Sequence, residues 1–440
     1  MVARSNFVLW LHRFTQHPGG QLVWIISLCS LLTTNGYAQH FRAGAAKVNS
    51  TSGNSQQLKG YGARKSTGVH DSIYHRVAVF DDGKTRFALV SSDYCSISPS
   101  FYDQVAERLQ KESGIPKNNF WWSLTHTHSA PEVGPPGLSE AFMPERFTRG
   151  YDKAYTTLVE NKLIEGVKEA ISRLEPAKLA VGWGHSNANI NRRARDANSR
   201  TTLGLNPDLP VDRRISMIRL EKPDGSPIAL IANYAMHGTV IGGKCTLISG
   251  DAPGVTASYV ENKIGGVMLY INGAAGNIAP IYSTQEGPDR LREFEALLGD
   301  KIVEANQAMK TSSADITLFP GDARVETPQK AGLKWPDYLN RYTRKVNGNE
   351  FVQMPIRFLR INQDIAIWSA PVELFCEISN EIREKSPYPY TFYYGYTNGS
   401  LGYLLTDEEI PLGGYEPGVS PFQPGAAGNL VRTVLDYLAK

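Results

Sequence analysis

One order of signals recurs three times along this chain, and it limits the fold more than any single motif. Val77-Ala78-Val79-Phe80, a turn at Asp81-Asp82-Gly83 and Arg86-Phe87-Ala88-Leu89-Val90 lead to Asp93. Ser216-Met217-Ile218-Arg219-Leu220, a turn at Pro223-Asp224-Gly225 and Ile228-Ala229-Leu230-Ile231 lead to His237. Residues 355–361, a short turn and Ile365-Ala366-Ile367-Trp368 lead to Glu373. Apolar runs paired across such turns read as hairpins. A helix follows each, near residues 102–113, 254–263 and 374–385. An apolar strand follows each helix, at residues 120–124, 267–271 and 390–394. The pattern predicts a mixed, layered α/β domain with central β-sheets flanked by helices. It predicts internal strand–turn–strand–helix–strand repeats whose strand ends converge on one site.

Other segments read as architecture. Residues 151–174 form an amphipathic helix with Leu163, Ile164, Val167, Ile171 and Leu174 on one face, stopped before Pro176. Residues 291–309 and 430–438 are similar. The polar and aromatic stretch 330–350 reads as an inserted loop near a surface or a pocket mouth.

The first 38 residues read as a signal peptide. Arg4 and Arg13 precede an apolar run over residues 22–32, and Gly36-Tyr37-Ala38 is a small-x-small cleavage site. The run is too short for a comfortable membrane span, and no stable span is expected once the leader is cleaved. The organisation is then a leader over 1–38 and a single catalytic domain over 39–440, in an exported protein, periplasmic or secreted. Lys and Arg number 46 against 43 Asp and Glu. That balance gives no reason to expect nucleic acid as a partner. Cys95, Cys245 and Cys376 are too few and too odd in number for a disulfide framework, though one bridge stays open.

The chemistry concentrates at strand ends. Thr125-His126-Thr127-His128-Ser129-Ala130-Pro131 follows the buried strand Phe120-Trp121-Trp122-Ser123-Leu124. Alternation along a strand would point His126 and His128 the same way. Such a pair suits a metal site in which one imidazole binds zinc and the other handles a proton. His237 and Glu373 end two other apolar runs, where an unpartnered carboxylate would be costly. Asn272-Gly273-Ala274-Ala275-Gly276-Asn277 is either a plain tight turn or a place where amides approach a substrate anion. Asp251, in Ser249-Gly250-Asp251, reads as a helix cap or as a group orienting a metal histidine. Asp93 reads as a cap or as support behind the metal. Asn398 joins Asp93, Asp251, Asn272 and Asn277 as candidate supporting or substrate-binding residues.

Together these segments resemble the N-terminal, catalytic domain of the neutral/alkaline non-lysosomal ceramidases. The likeness runs from Phe41-Arg42-Ala43-Gly44 through Gly60-Tyr61-Gly62 to the end of the chain. It is carried most specifically by Thr125-His126-Thr127-His128-Ser129. Asn189-Ile190-Asn191-Arg192, 233–237, Ser249-Gly250-Asp251, Ala370-Pro371-Val372-Glu373, 402–409 and Gly414-Tyr415-Glu416 add to it. The resemblance implies His126, His237, Glu373 and Tyr403 as zinc ligands, and His128, Arg192 and Tyr415 as catalytic groups facing substrate. It implies an N-acyl amide hydrolase acting on a small-molecule, lipid-like or glycan-linked substrate through water activated at the metal.

There are two departures. Where the family has Gly-Asp-Val-Ser-Pro, with a serine described as catalytic, this chain has Gly276-Asn277-Ile278-Ala279-Pro280. The chain also ends without the C-terminal β-sandwich of true ceramidases, so a short, ceramidase-like member is expected. Hydrolysis of an ester or a saccharide-linked group stays open, as does a zinc-stabilised ligand-binding protein without catalysis.

Overall fold

Each of the three repeats folds as a sheet with four main strands in the same order, and the first and third sheets each gain one short strand. The computed structural model describes residues 41–138, 142–143 and 151–440; the leader expected over 1–38 lies outside them. In the first unit, Arg42–Asn49, Tyr74–Asp81 and Arg86–Ser92 run antiparallel, and Phe120–Leu124 returns parallel to the third strand. The second unit repeats this with Lys178–His185, Arg214–Glu221, Pro227–Tyr234 and Val267–Asn272. The third uses Leu318–Pro328, Asn349–Ile361, Ile365–Ser369 and Tyr390–Tyr393. A parallel return needs a crossover. The helices Pro99–Ser113, Asp251–Ile264 and Cys376–Lys385 supply it.

Strand alternation divides the apolar residues between two environments. Trp121 and Trp122 are neighbours, yet Trp121 joins Phe87, Ile231, Ile271, Ile367 and Phe392 in a core shared by all three sheets. Trp122 faces outward, with Phe101 of the first helix, into a second core. The helix Lys153–Ser172 covers that same outer face through Val159, Leu163 and Val167. The helix Pro99–Ser113 begins where the Ser98 hydroxyl accepts from the Ser100 amide and Pro99 pre-sets the first turn.

The crossovers bring the carboxyl ends of the parallel strands to one place, and backbone contacts close a ring there. Thr127 bridges Gly238, joining the first unit to the second. The Gly276 amide donates to the Leu374 carbonyl at 2.8 Å, joining the second to the third. The Leu124 amide donates to Tyr396 O at 3.1 Å, joining the third to the first.

Some expectations shift. The segment 291–309 opens as a π-helical turn, Glu295–Asp300, before the α-helix Lys301–Ala308. The stretch 330–350 holds a 3-10 helix, Asp337–Tyr342, and the strand Thr343–Val346 rather than an open loop. Cys95, Cys245 and Cys376 are free and buried.

Candidate metal centre

His126, His237 and Glu373 meet at the centre of that ring. Glu373 Oε2 lies 3.3 Å from His126 Nε2 and 3.4 Å from His237 Nε2. All three side chains are buried. The two imidazoles come from adjacent units, and the carboxylate from the third.

The tautomers are dictated by backbone carbonyls. His126 Nδ1 stands 2.6 Å from Cys95 O, and His237 Nδ1 stands 2.6 Å from Ala275 O. A carbonyl only accepts, so each Nδ1 carries the hydrogen and a neutral ring leaves a lone pair on Nε2. Two such lone pairs and a carboxylate oxygen therefore face one another in a buried space. Glu373 Oε2 makes no hydrogen bond of good geometry. An orphaned buried acceptor costs about 1–3 kcal/mol, more when charged, so a cation belongs here. A proton is one solution, and His126 is its seat. Burial disfavours that charge, but Cys95 and Glu373 outweigh it and raise His126 to about 10. Burial would raise Glu373, yet His126 holds it well below the usual carboxylate range. A divalent metal is the other solution, and two nitrogens plus one oxygen suit it. The ligating atoms of these residues lie within 4.8 Å of one another.

The histidine pair converges, but not by strand alternation. The strand ends at Leu124, and His126 adopts φ 64, in the left-handed region. That turn swings His126 toward His128, so that their Nε2 atoms are 3.2 Å apart. Burial, then the neighbouring His126 and His237, hold His128 well below an ordinary histidine, so it is neutral. Gly60 makes room for it: a Cβ there would sit 2.4 Å from the His128 ring.

Tyr403 and Glu373 are direct partners in a short parallel pairing. The Tyr403 hydroxyl is 3.5 Å from His237 Nε2 and accepts from Arg192 Nη2 at 3.1 Å. Arg192 is placed by the strand Asn189–Arg195, which pairs with Ile278–Pro280. Burial lowers its affinity for a proton, but Tyr403 and Glu416 outweigh this, so it stays cationic. Tyr415 stands edge-on to Tyr403, ring centroids 5.7 Å apart. His128, Arg192, Tyr403 and Tyr415 all line one cavity of about 380 Å³, with Ala279 on its wall. Leu203 and Leu205, 57% and 48% exposed, form an apolar lip.

The supporting residues divide. Asn272 Nδ2 donates to Thr125 O and Met236 O, the residues just before His126 and His237. It holds both ligand backbones. Asp251 touches no metal histidine. Its carboxylate accepts from the Val240, Ile241 and Ala252 amides. Asp93 pairs with Arg76 at 2.8 Å and is not a helix cap, since Ser98 fills that role. Asn277 binds Glu377 and the Cys376 amide, tying the third helix to the second unit. Asn398 sits behind the strand ends, accepting from the Trp122 amide. The glycine turn 272–277 presents the Ala275 carbonyl to His237, while the Gly273, Ala275 and Gly276 amides are spent on backbone carbonyls. It is a tight turn, and offers those three amides to no substrate.

Sequence reasoning gave no role to Tyr61, Tyr396 or Glu416. Tyr61 packs edge-on to His128 at 5.0 Å, and Tyr396 lies over His126 at 4.1 Å. Glu416 accepts from Arg192 Nε at 2.9 Å and Arg193 Nη1 at 2.6 Å. Only its place beside Tyr415 signalled it. Glu416→Gln should therefore cost about 3–5 kcal/mol of stability, as breaking a buried ion pair does. It should lower kcat/KM by up to about 100-fold through a displaced Arg192, with metal content kept. Thermal denaturation and steady-state kinetics check this; wild-type values in both would contradict it.

A family profile described as neutral/alkaline non-lysosomal ceramidase, N-terminal, matches residues 41–289, more than half of the chain. The chain belongs to this ceramidase family. Neutral ceramidase A of Dictyostelium discoideum is 31% identical over 227 residues, covering 50% of this chain and 31% of that protein. Neutral ceramidase of Mycobacterium tuberculosis is 27% identical over 241 residues, covering 52% of this chain and 37% of that protein. The chain thus spans about a third of the length of these relatives. The neutral ceramidase from Pseudomonas aeruginosa shares the fold, with a TM-score of 0.73 at 20% identity over 91% of this chain and 74% of that one. The stretch that matches the ceramidase profile carries His126, His128, Arg192 and His237. Glu373, Tyr403 and Tyr415 lie beyond it and join the site through the fold.

Proposed function

We propose that this protein is an exported, zinc-dependent hydrolase of N-acyl amides with an apolar acyl group. The carrying observation is the junction of two environments: three converging acceptor atoms, and an apolar-lipped cavity whose wall residues His128 and Tyr403 reach His126 and His237. His126, His237 and Glu373 would hold the ion, with Tyr403 poised beside it. Zinc, when bound there, supplies Lewis acidity toward a carbonyl and toward water. The family membership supports hydrolysis of an amide, and the relatives named neutral ceramidase support a lipid-like substrate.

The chain's own residues perform the rest. His128, neutral and at the cavity wall, takes a proton from the attacking water and returns it to the leaving nitrogen. Arg192, fixed by Glu416, and the Tyr415 hydroxyl stabilise the oxyanion that develops on the carbonyl. Leu203 and Leu205 face the acyl chain. Export rests on the leader pattern, and no helix among the described residues is long and apolar enough to cross a membrane.

Ala279 places a methyl group where the family resemblance puts a catalytic hydroxyl. Covalent catalysis needs a nucleophilic side chain at the carbonyl, and this position offers none. Turnover should therefore persist in the presence of serine-directed covalent inhibitors and stop with chelators. Ala279→Ser should remain just as sensitive to chelators. A panel of N-acyl amides, including ceramide, with matched esters and acylated saccharides tests the substrate class. Turnover of esters alone would replace the amide assignment. No turnover of any member by metal-loaded protein would favour a binding protein.

A further inference from the structure

A second cavity, of about 90 Å³, lies at the junction of the first and third units, apart from the metal centre. Its lining is cationic. Lys117 follows the first unit's helix, Arg324 and Arg357 come from two strands of the third unit, and Arg341 comes from the 3-10 helix between them. The one carboxylate in the lining is Asp103. It is already engaged by Lys117 at 2.5 Å, Arg341 at 2.7 Å and the Tyr342 hydroxyl at 2.6 Å. Two further carboxylates stand near: Asp322, 3.8 Å from Arg357, and Glu107, 3.9 Å from Lys117. Both are mostly in solvent, with side chains 50% and 62% exposed. Arg357 is different, its side chain only 16% exposed. A guanidinium has five N–H donors; the Tyr102 hydroxyl takes one of them, and a carboxylate 3.8 Å away compensates the charge only in part.

An independent donor lines the same space. The Trp122 amide can only donate, and it reaches Asn398 Oδ1 at 2.8 Å. That contact fixes the carboxamide so that Nδ2 is the remaining end. Asn398 is 6% exposed, and its Nδ2 has no hydrogen-bond partner. An unused buried amide donor on a residue that lines the same cavity as a partly compensated guanidinium calls for an acceptor with negative charge. The volume, on the order of three waters at roughly 30 Å³ each, suits a small ion and not a bulky headgroup with its chains.

We propose that this cavity is a binding site for a small inorganic oxyanion, phosphate or sulfate, held by Arg357, Lys117 and Asn398. Such an ion would brace the third unit against the first. The site uses none of the residues given a step in hydrolysis, since Asn398 lies behind the strand ends and lines this cavity instead, and it does not depend on that reading.

Titration calorimetry of the metal-loaded protein with sodium phosphate at constant ionic strength tests it. One site per chain is expected. Arg357→Gln should weaken it by about tenfold or more, the loss of one charge-assisted contact. Asn398→Asp, which keeps the acceptor for Trp122 but sets a carboxylate against the ion, should weaken it as well, covering the case in which the arginine variant fails to fold. Arg192→Gln should leave it unchanged. Loss of binding in Arg192→Gln with retention in the other two would place phosphate at the metal centre and overturn the proposal. So would the absence of binding to the wild type. Phosphatidic acid vesicles should show no Arg357-dependent binding; if they do, the ligand is a lipid headgroup and the inorganic assignment fails.

Discussion

Protein carrying His126→Ala together with His237→Ala should purify without stoichiometric metal and without measurable turnover. Each substitution removes one of the two Nε2 lone pairs that face Glu373 at 3.3 and 3.4 Å. One carboxylate with Tyr403 at hand is too small a ligand set for a catalytic metal. The expected loss of rate is on the order of 10³-fold or more, the several kcal/mol that a metal contributes. The same geometry sets the pH dependence of metal uptake. His126 in the metal-free cluster is raised to about 10, so below that pH a proton occupies the ring. Metal must expel it, and apparent affinity should fall about tenfold per unit as pH drops. Elemental analysis of the double variant and metal titration of the wild type between pH 7 and 9 read both effects. Full metal in the double variant would contradict the ligand set.

His128→Ala should lower turnover by about 10²–10⁴-fold, the contribution of a positioned acid–base group, while metal content stays near that of the wild type. The ring is neutral at the cavity wall, as a group that accepts a proton must be. The variant separates the two readings of the histidine pair. His128 also belongs to a second cluster, with Cys95 and His126, that has metal-binding geometry. Loss of metal on His128→Ala would make His128 a ligand and leave the proton transfer without its residue.

The repeat was legible because hairpin turns and apolar runs are local signals. Asp81-Asp82-Gly83 and Pro223-Asp224-Gly225 declare the turns, and each unit's last strand falls within a residue or so of its expected bounds. The site was legible where a polar residue interrupts an apolar run, as at His126, His237 and Glu373. What failed was geometry that no local pattern encodes. His126 leaves strand alternation because it turns left-handed at φ 64. The carbonyls of Cys95 and Ala275, which fix the histidine tautomers, carry no residue signature at all. Glu416 looks like an ordinary surface acid in sequence. It is buried only because Arg192 and Arg193 reach it from more than two hundred residues away. Asp251 was ambiguous for the opposite reason: an acid at a helix start signals a cap, yet Gly250 holds the cap position and Asp251 clamps the Val240–Ile241 backbone.

Diffraction from crystals of zinc-loaded protein, with anomalous data on both sides of the zinc edge, tests the metal centre most directly. One strong peak per chain is predicted, in contact with His126 Nε2, His237 Nε2 and Glu373. His128 should stand outside its ligand shell. A peak seated among Cys95, His126 and His128, or no zinc within reach of Glu373, would contradict the assignment.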